Sequence, residues 1–230
     1  MVKRFKSNSM KKYFTLLIAS AALISVQAQT GKNPTQNDPD AKKVLDAVSA
    51  KFRTYKTPQA SFTYEIENAQ GKSLSTKTGT VTMKGPKFHV TMSGMEIFSD
   101  GHTSWNYDKS ANEVTVSAVE TGSGAMTPQK LFTNFYDKDF YYKLNGEKKV
   151  GNKTVQEIEM TPIDKTRPFH KVYVLVDKAT NNIYSARFLE KTGNRYSYTV
   201  NAIKPNATVS DADFTFNQSK YPGVEVVDLR

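Results

Sequence analysis

Residues 84–116 change direction every few positions, and that rhythm admits little besides short antiparallel strands. Phe88, Val90 and Met92 interleave with Lys87, His89 and Thr91, giving a strand one apolar and one polar face. Asp100-Gly101 supplies the positive φ of a two-residue turn, and Asp108 to Asn112 supplies side-chain acceptors for a longer one. Glu113-Val114-Thr115-Val116 resumes the alternation.

The same pattern runs on either side. In residues 60–68, Phe62, Tyr64 and Ile66 alternate with Ser61, Thr63, Glu65 and Glu67. After a turn at Gln70-Gly71-Lys72, residues 76–84 carry Val81 and Met83 on an apolar face. Further strands are expected at 140–144, 154–160, 169–177, 183–190 and 195–203, with turns at Asn145-Gly146, Asn181-Asn182 and Gly193-Asn194. Residues 213–216 and 221–226 close the chain with a last short strand. Hairpins at intervals of roughly eight to twelve residues mean a continuous antiparallel sheet without crossover helices.

Two segments read as helices. Asp38 can accept hydrogen bonds from free amides at a helix start, and Pro39 fits the first turn, where its missing N–H costs nothing. Val44, Leu45, Val48, Phe52 and Tyr55 then share one stripe. A second helix is expected from Thr127-Pro128, with Leu131, Phe132, Phe135 and Tyr136 on its apolar side. About eleven strands against two helices make the chain mainly β, of α+β class. A long antiparallel sheet twists, and curling toward a barrel hides its edges while the helices plug the concave side.

The first residues are expected to lie outside this fold. Lys11-Lys12, the apolar run 13–26 and small residues at Val26 and Ala28 form an export signal, cleaved after about Ala28. That leaves a flexible stretch, 29–38, and a single domain, 39–230. Without residues 1–28 the formal charge falls from +10 to +5, with 27 basic against 22 acidic side chains. Spread along alternating strands, so small an excess is solvated surface, so no nucleic-acid partner is expected. The chain has no cysteine, hence no disulfide and no thiol to carry a lipid after Ala28.

Nothing in the sequence outlines a catalytic or metal centre. Three histidines, His89, His102 and His170, are scattered, and there is no Gly-x-Ser-x-Gly elbow, His-Glu-x-x-His pair or phosphate-cradling glycine loop. No cofactor is implied. What stands out is twelve Tyr and thirteen Phe. Phe62, Tyr64, Ile66, Met83, Phe88, Val90, Met92, Phe98, Trp105 and Tyr107 are the residues expected to line the inside of the curl. Such a lining serves equally as ordinary core or as an acyl-chain cavity, where each buried methylene is worth about 0.8 kcal/mol. Met83, Met92, Met95 and Met126 would add plasticity.

One combination is more specific. A strand closing on Lys84-Gly85-Pro86, then Phe88, Ser99-Asp100-Gly101, Trp105-Asn106-Tyr107-Asp108 and Val114-Thr115-Val116, resembles the LolA family, the periplasmic carriers of outer-membrane lipoproteins. The resemblance extends to Phe214-Thr215-Phe216 and Pro222-Gly223-Val224. It implies an unclosed barrel with a two-part helical lid over an apolar cavity, the lid formed by Val44, Leu45, Val48, Phe52, Leu131, Phe132 and Phe135. It also implies a non-enzymatic monomer in the periplasm that takes acylated lipoproteins from an inner-membrane ABC-type releasing complex and delivers them to the outer membrane, with the acceptor there left open. Family members carry an arginine just before the strand proline, tied to lid control and handover. Here that position is Gly85, and Lys84 is the neighbouring candidate, although it lies on the other face of the strand. A carrier of other lipids or glycolipids, an exported hydrolase and a cavity-free interaction module are the alternatives.

Overall fold

The computed structural model describes residues 36–119 and 136–230. The expected export signal, residues 29–35, and Leu131, Phe132 and Phe135 lie outside them. Helix α1 (Pro39–Arg53) starts where Asp38 and Pro39 place it. The Asp38 carboxylate accepts from the Asp40 amide at 2.8 Å and from the Leu144 amide at 2.9 Å, while its own N–H donates to the Tyr142 carbonyl at 3.0 Å. One residue thus caps a helix and occupies part of a strand edge. The Leu144 amide is the main reason this carboxyl sits below the usual aspartate range.

Twelve strands follow: β1 (Gln59–Glu67), β2 (Ser73–Lys84), β3 (Lys87–Met92), β4 (Met95–Ser99), β5 (Thr103–Asp108), β6 (Glu113–Ala118), β7 (Phe140–Val150), β8 (Lys153–Pro162), β9 (Phe169–Asp177), β10 (Ile183–Glu190), β11 (Arg195–Lys204) and β12 (Glu225–Asp228). A four-residue helix, α2 (Tyr136–Asp139), precedes β7. The strands form one sheet in the order β12-β6-β5-β4-β3-β2-β1-β11-β10-β9-β8-β7. Among the described residues its edge strands, β12 and β7, do not pair, so the sheet curls without closing.

Three details differ from the sequence expectation. Asn145-Gly146 is not a turn: β7 continues to Val150, and the register shifts between Leu144 and Gly146, whose φ of +114° marks a bulge. The sheet is not wholly antiparallel, because β12 runs parallel to β6. Residues Asp211–Phe214 form a 3₁₀ turn, so the last strand lies only at Glu225–Asp228.

Cross-strand register also explains Gly79. It pairs with Phe62 on one side and Met92 on the other, and a Cβ there would stand 2.5 Å from the Thr91 carbonyl oxygen and 2.7 Å from the Phe62 ring. The Phe62 ring occupies the space that a side chain would need. Gly79→Ala is therefore expected to cost about 1–3 kcal/mol in urea denaturation; a neutral substitution would show that the Phe62 ring and the backbone at Thr91 both give way.

Candidate binding face

Paired residues share a face, so register alone sorts the side chains into two sets. The inner face is the one that α1 covers. Over β7–β10, Ala41, Val44, Leu45 and Val48 press on Ile158, Met160, Val172 and Val174, and all eight are buried. Val44, Leu45 and Val48, expected to roof a cavity, thus close an ordinary helix-on-sheet core by direct contact. Polar groups fix this end of the helix. Asp46 accepts from the Tyr136 phenol at 2.7 Å and from Lys42 at 3.0 Å, and Asp137 accepts from the Tyr142 phenol at 2.9 Å. Burial pushes both phenols up to about 12. Arg167, itself buried, lies 5.3 Å from the Phe140 ring centre and 3.3 Å from Asp139, tying α2 to the sheet.

Over β1–β4 and β11 the inner face stays apolar but is less filled. Ala60, Phe62, Val81, Met83 and Phe88 are buried; Tyr64, Val90, Met92, Ile97, Val200 and Ile203 are half-buried against them. Ile66 continues the row on β1. Phe52, at the last turn of α1, reaches this cluster. An apolar slot between Val48, Phe52, Met83, Ile183 and Ile203 joins the two halves. Of the expected cavity residues, the structure therefore brings together Phe62, Tyr64, Ile66, Met83, Phe88, Val90 and Met92.

Phe98, Trp105 and Tyr107 do not join them. Phe88 pairs with Ser99 and Val90 with Ile97, so Phe98 is opposite His89, on the outer face. Phe98 pairs with Trp105, and Tyr107 follows two residues later on the same side. These rings face the C-terminal segment: Phe98 and Tyr107 lie 5.8 and 6.0 Å from Phe216, and Tyr107 lies 4.5 Å from Tyr221. Lys84 is on this outer face too. Its ammonium meets Asp211 at 2.8 Å, beside Lys87 at 3.1 Å, so it anchors the C-terminal segment on the side away from α1.

His89 has a partner that the sequence did not reveal. Its ring stacks on Phe98 at 4.1 Å and meets Glu96 at 3.2 Å, and Glu96 also accepts from the Tyr221 phenol at 3.2 Å. Gln59, Thr82, Thr215 and Asn217 line the same outer pocket, which offers no cysteine or serine as a nucleophile. The group fastens the C-terminal segment to β3 and β4. Among the described residues, no cluster of three His, Cys, Asp or Glu could hold a metal ion.

Sequence reasoning missed several inner-face residues. Tyr196, Tyr198 and Val200 on β11, and Phe188 on β10, join the row through the pairs Ile66–Tyr196, Tyr64–Tyr198, Phe62–Val200 and Phe188–Tyr196. The signal was present in the alternation of Tyr196, Tyr198 and Val200 with Ser197, Thr199 and Asn201. The rings form a continuous band: Tyr64 lies 4.8 Å from Tyr198 and 6.1 Å from Tyr196, Phe62 and Phe188 each lie 6.2 Å from Tyr198, and Phe169 lies 5.4 Å from Phe188. Tyrosine phenols are protonated donors at neutral pH, and desolvation raises those of Tyr64 and Tyr198 further.

Residues 53–217 match the family model of the outer membrane lipoprotein carrier protein LolA. An outer-membrane lipoprotein carrier protein of Serratia proteamaculans is 27% identical over 195 residues, 83% of this chain and 89% of the relative. Another from Histophilus somni is 25% identical over 225 residues, 96% of this chain and 99% of the relative. Among solved structures, an uncharacterized conserved protein from Thermus thermophilus superposes with a TM-score of 0.56 at 15% identity, covering 82% of this chain and 99% of that one. That last likeness is one of fold alone.

Proposed function

The chain belongs to the outer membrane lipoprotein carrier protein LolA family, and on that premise we propose that its inner face binds the acyl chains of lipoproteins and carries them through the periplasm. The observation that supports this reading is the apolar row over β1–β4 and β11, where Tyr64, Val90, Met92, Ile97 and Val200 are only half-buried. A filled core would bury these side chains fully. A carrier needs the opposite, since its cargo must leave as readily as it arrives, and an adaptable lining that includes Met92 suits that exchange.

In this reading the protein is a binding module and not an enzyme. It receives acylated lipoproteins from an inner-membrane ABC-type releasing complex and hands them on at the outer membrane. Phe52 and the slot beside it form the flexible end of the cover, whereas Val44, Leu45 and Val48 are its fixed base. In this reading Lys84, paired with Asp211, anchors the C-terminal segment.

Val90→Glu and Ile97→Glu place a carboxylate on the inner face, and Thr91→Glu places one on the outer face beside them. The two inner variants should weaken a fluorescent acyl probe by about tenfold or more, because a buried charge without a partner is costly. Thr91→Glu should bind as the parent does. Equal affinity in all three folded variants would remove the inner face as the site. Native mass spectrometry of protein purified from its host tests the cargo: a co-purifying acylated lipoprotein supports the carrier reading, and free phospholipid alone would replace it with a general lipid shuttle.

A further inference from the structure

We propose that Tyr64, Tyr196 and Tyr198 form a polar subsite that hydrogen-bonds the ester carbonyls through which acyl chains are attached to a glyceryl group. The inference rests on the carrier reading and adds the orientation of the ligand. It begins with a contrast among the tyrosines. The phenols of Tyr55, Tyr107, Tyr136, Tyr142 and Tyr221 each donate to a protein acceptor, respectively Asn182, Asn112, Asp46, Asp137 and Glu96, at 2.7–3.2 Å. Those of Tyr64, Tyr196 and Tyr198 have no protein acceptor among the described residues, although the Tyr64 ring lies against both of the others on one patch. Tyr141 and Tyr184, half-buried as well, likewise donate to no protein acceptor among the described residues, but no ring contact ties them to this patch. Here the protein leaves three donors together.

The surroundings select the ligand. On one side the patch adjoins Phe62, Val200 and Phe188, and two strands from β1 the same face carries Val90 and Met92. A ligand polar throughout would leave that apolar row against water, and a bare hydrocarbon would leave three phenols unmatched. An amphiphile with hydrogen-bond acceptors where its chains begin satisfies both. Ester carbonyls fit, because they accept and cannot donate, whereas tyrosine phenols at neutral pH are protonated and can donate. The chains would then run from the tyrosine patch toward Val90, Met92 and Ile97, with the headgroup toward the exposed ring of Tyr198.

Short-chain lipids that differ only in the linkage test this assignment. A dioctanoyl diester and the corresponding dioctyl diether, each made on a phosphocholine and on a short cysteinyl peptide, compete against a bound hydrophobic fluorophore. The parent protein should prefer ester to ether by about tenfold, the combined size of two or three ordinary hydrogen bonds partly offset by ordering. The triple variant Tyr64→Phe, Tyr196→Phe, Tyr198→Phe keeps all three rings. It should lose the ester preference, whatever its absolute affinity for the diether. A preference on either headgroup supports the subsite, and the tighter headgroup identifies the source of the diacylglyceryl unit. Equal affinity for ester and ether in the parent, or a preference that survives in the triple variant, would overturn the subsite and leave the acyl site standing. If no probe displaces the fluorophore, the carrier reading fails and the subsite falls with it.

Discussion

Phe214→Ala is expected to destabilise the protein by about 3–5 kcal/mol, the usual cost of emptying a fully buried aromatic site. Phe214 has 0% of its surface exposed, yet it belongs to a short turn in a segment with few backbone ladder bonds of its own. What holds that segment is a row of anchors on the outer face: Asp211 to Lys84 and Lys87, Phe216 and Tyr221 against Phe98 and Tyr107, and Tyr221 to Glu96. Phe214 is the largest of these that is wholly enclosed. Its loss should also loosen β12, whose pairing to β6 follows only after Tyr221. The single tryptophan, Trp105, packs in the same aromatic cluster. Its emission should therefore shift to the red in the variant before the sheet unfolds. A cost under about 1 kcal/mol with unchanged Trp105 emission would place the segment outside the cooperative fold.

That outer cluster also explains what the sequence could and could not show. Strand positions were legible because alternation and turn residues are local, and α1 was legible because Asp38, Pro39 and one apolar stripe agree. The face on which each aromatic lies was not legible so easily. A two-residue turn at Ser93-Gly94 pairs Met92 with Met95, so even-numbered inner residues on β3 give way to odd-numbered ones on β4. The parity returns on β5, leaving Ser104, Asn106 and Asp108 on the inner side and Trp105 and Tyr107 on the outer. The apolar side of the sheet thus changes face between β3 and β5. Ile97 and Phe98, apolar neighbours on β4, mark the crossing. Counting alternation within one strand cannot reveal it, because the cause is the packing of residues more than 100 positions away, around Phe216 and Tyr221. The tyrosine patch was missed for the opposite reason: the period on β11 is plain, but its partners on β1 and β10 are set only by long-range register.

Long-range register also gives Asp177 its weight, and Asp177→Ala should cost about 2–3 kcal/mol at pH 7. Asp177 ends β9 with its carboxylate nearly enclosed. One oxygen meets Lys153 at the start of β8 at 2.5 Å, and the other accepts from the Ala179 amide at 3.0 Å. Lys153 is half in solvent, which keeps the expected loss below that of a fully buried pair. The turn that this carboxylate shapes presents Asn182, which accepts the Tyr55 phenol at 2.9 Å just beyond Phe52. The contact therefore also helps to set the end of α1 that borders the binding face. Lys153 first, and then the backbone amides, hold the Asp177 carboxyl below its usual range. A depressed folded value means that the unfolded chain takes up the proton first as pH falls. The stabilisation is therefore complete above about pH 5, declines from about pH 4, and is lost once the folded carboxyl is itself protonated. Urea denaturation of parent and variant at pH 7 and again near pH 3 should show the gap between them narrowing on acidification. A gap that stays constant would mean that Asp177 acts through shape alone, and one that widens would reverse the sign of the linkage.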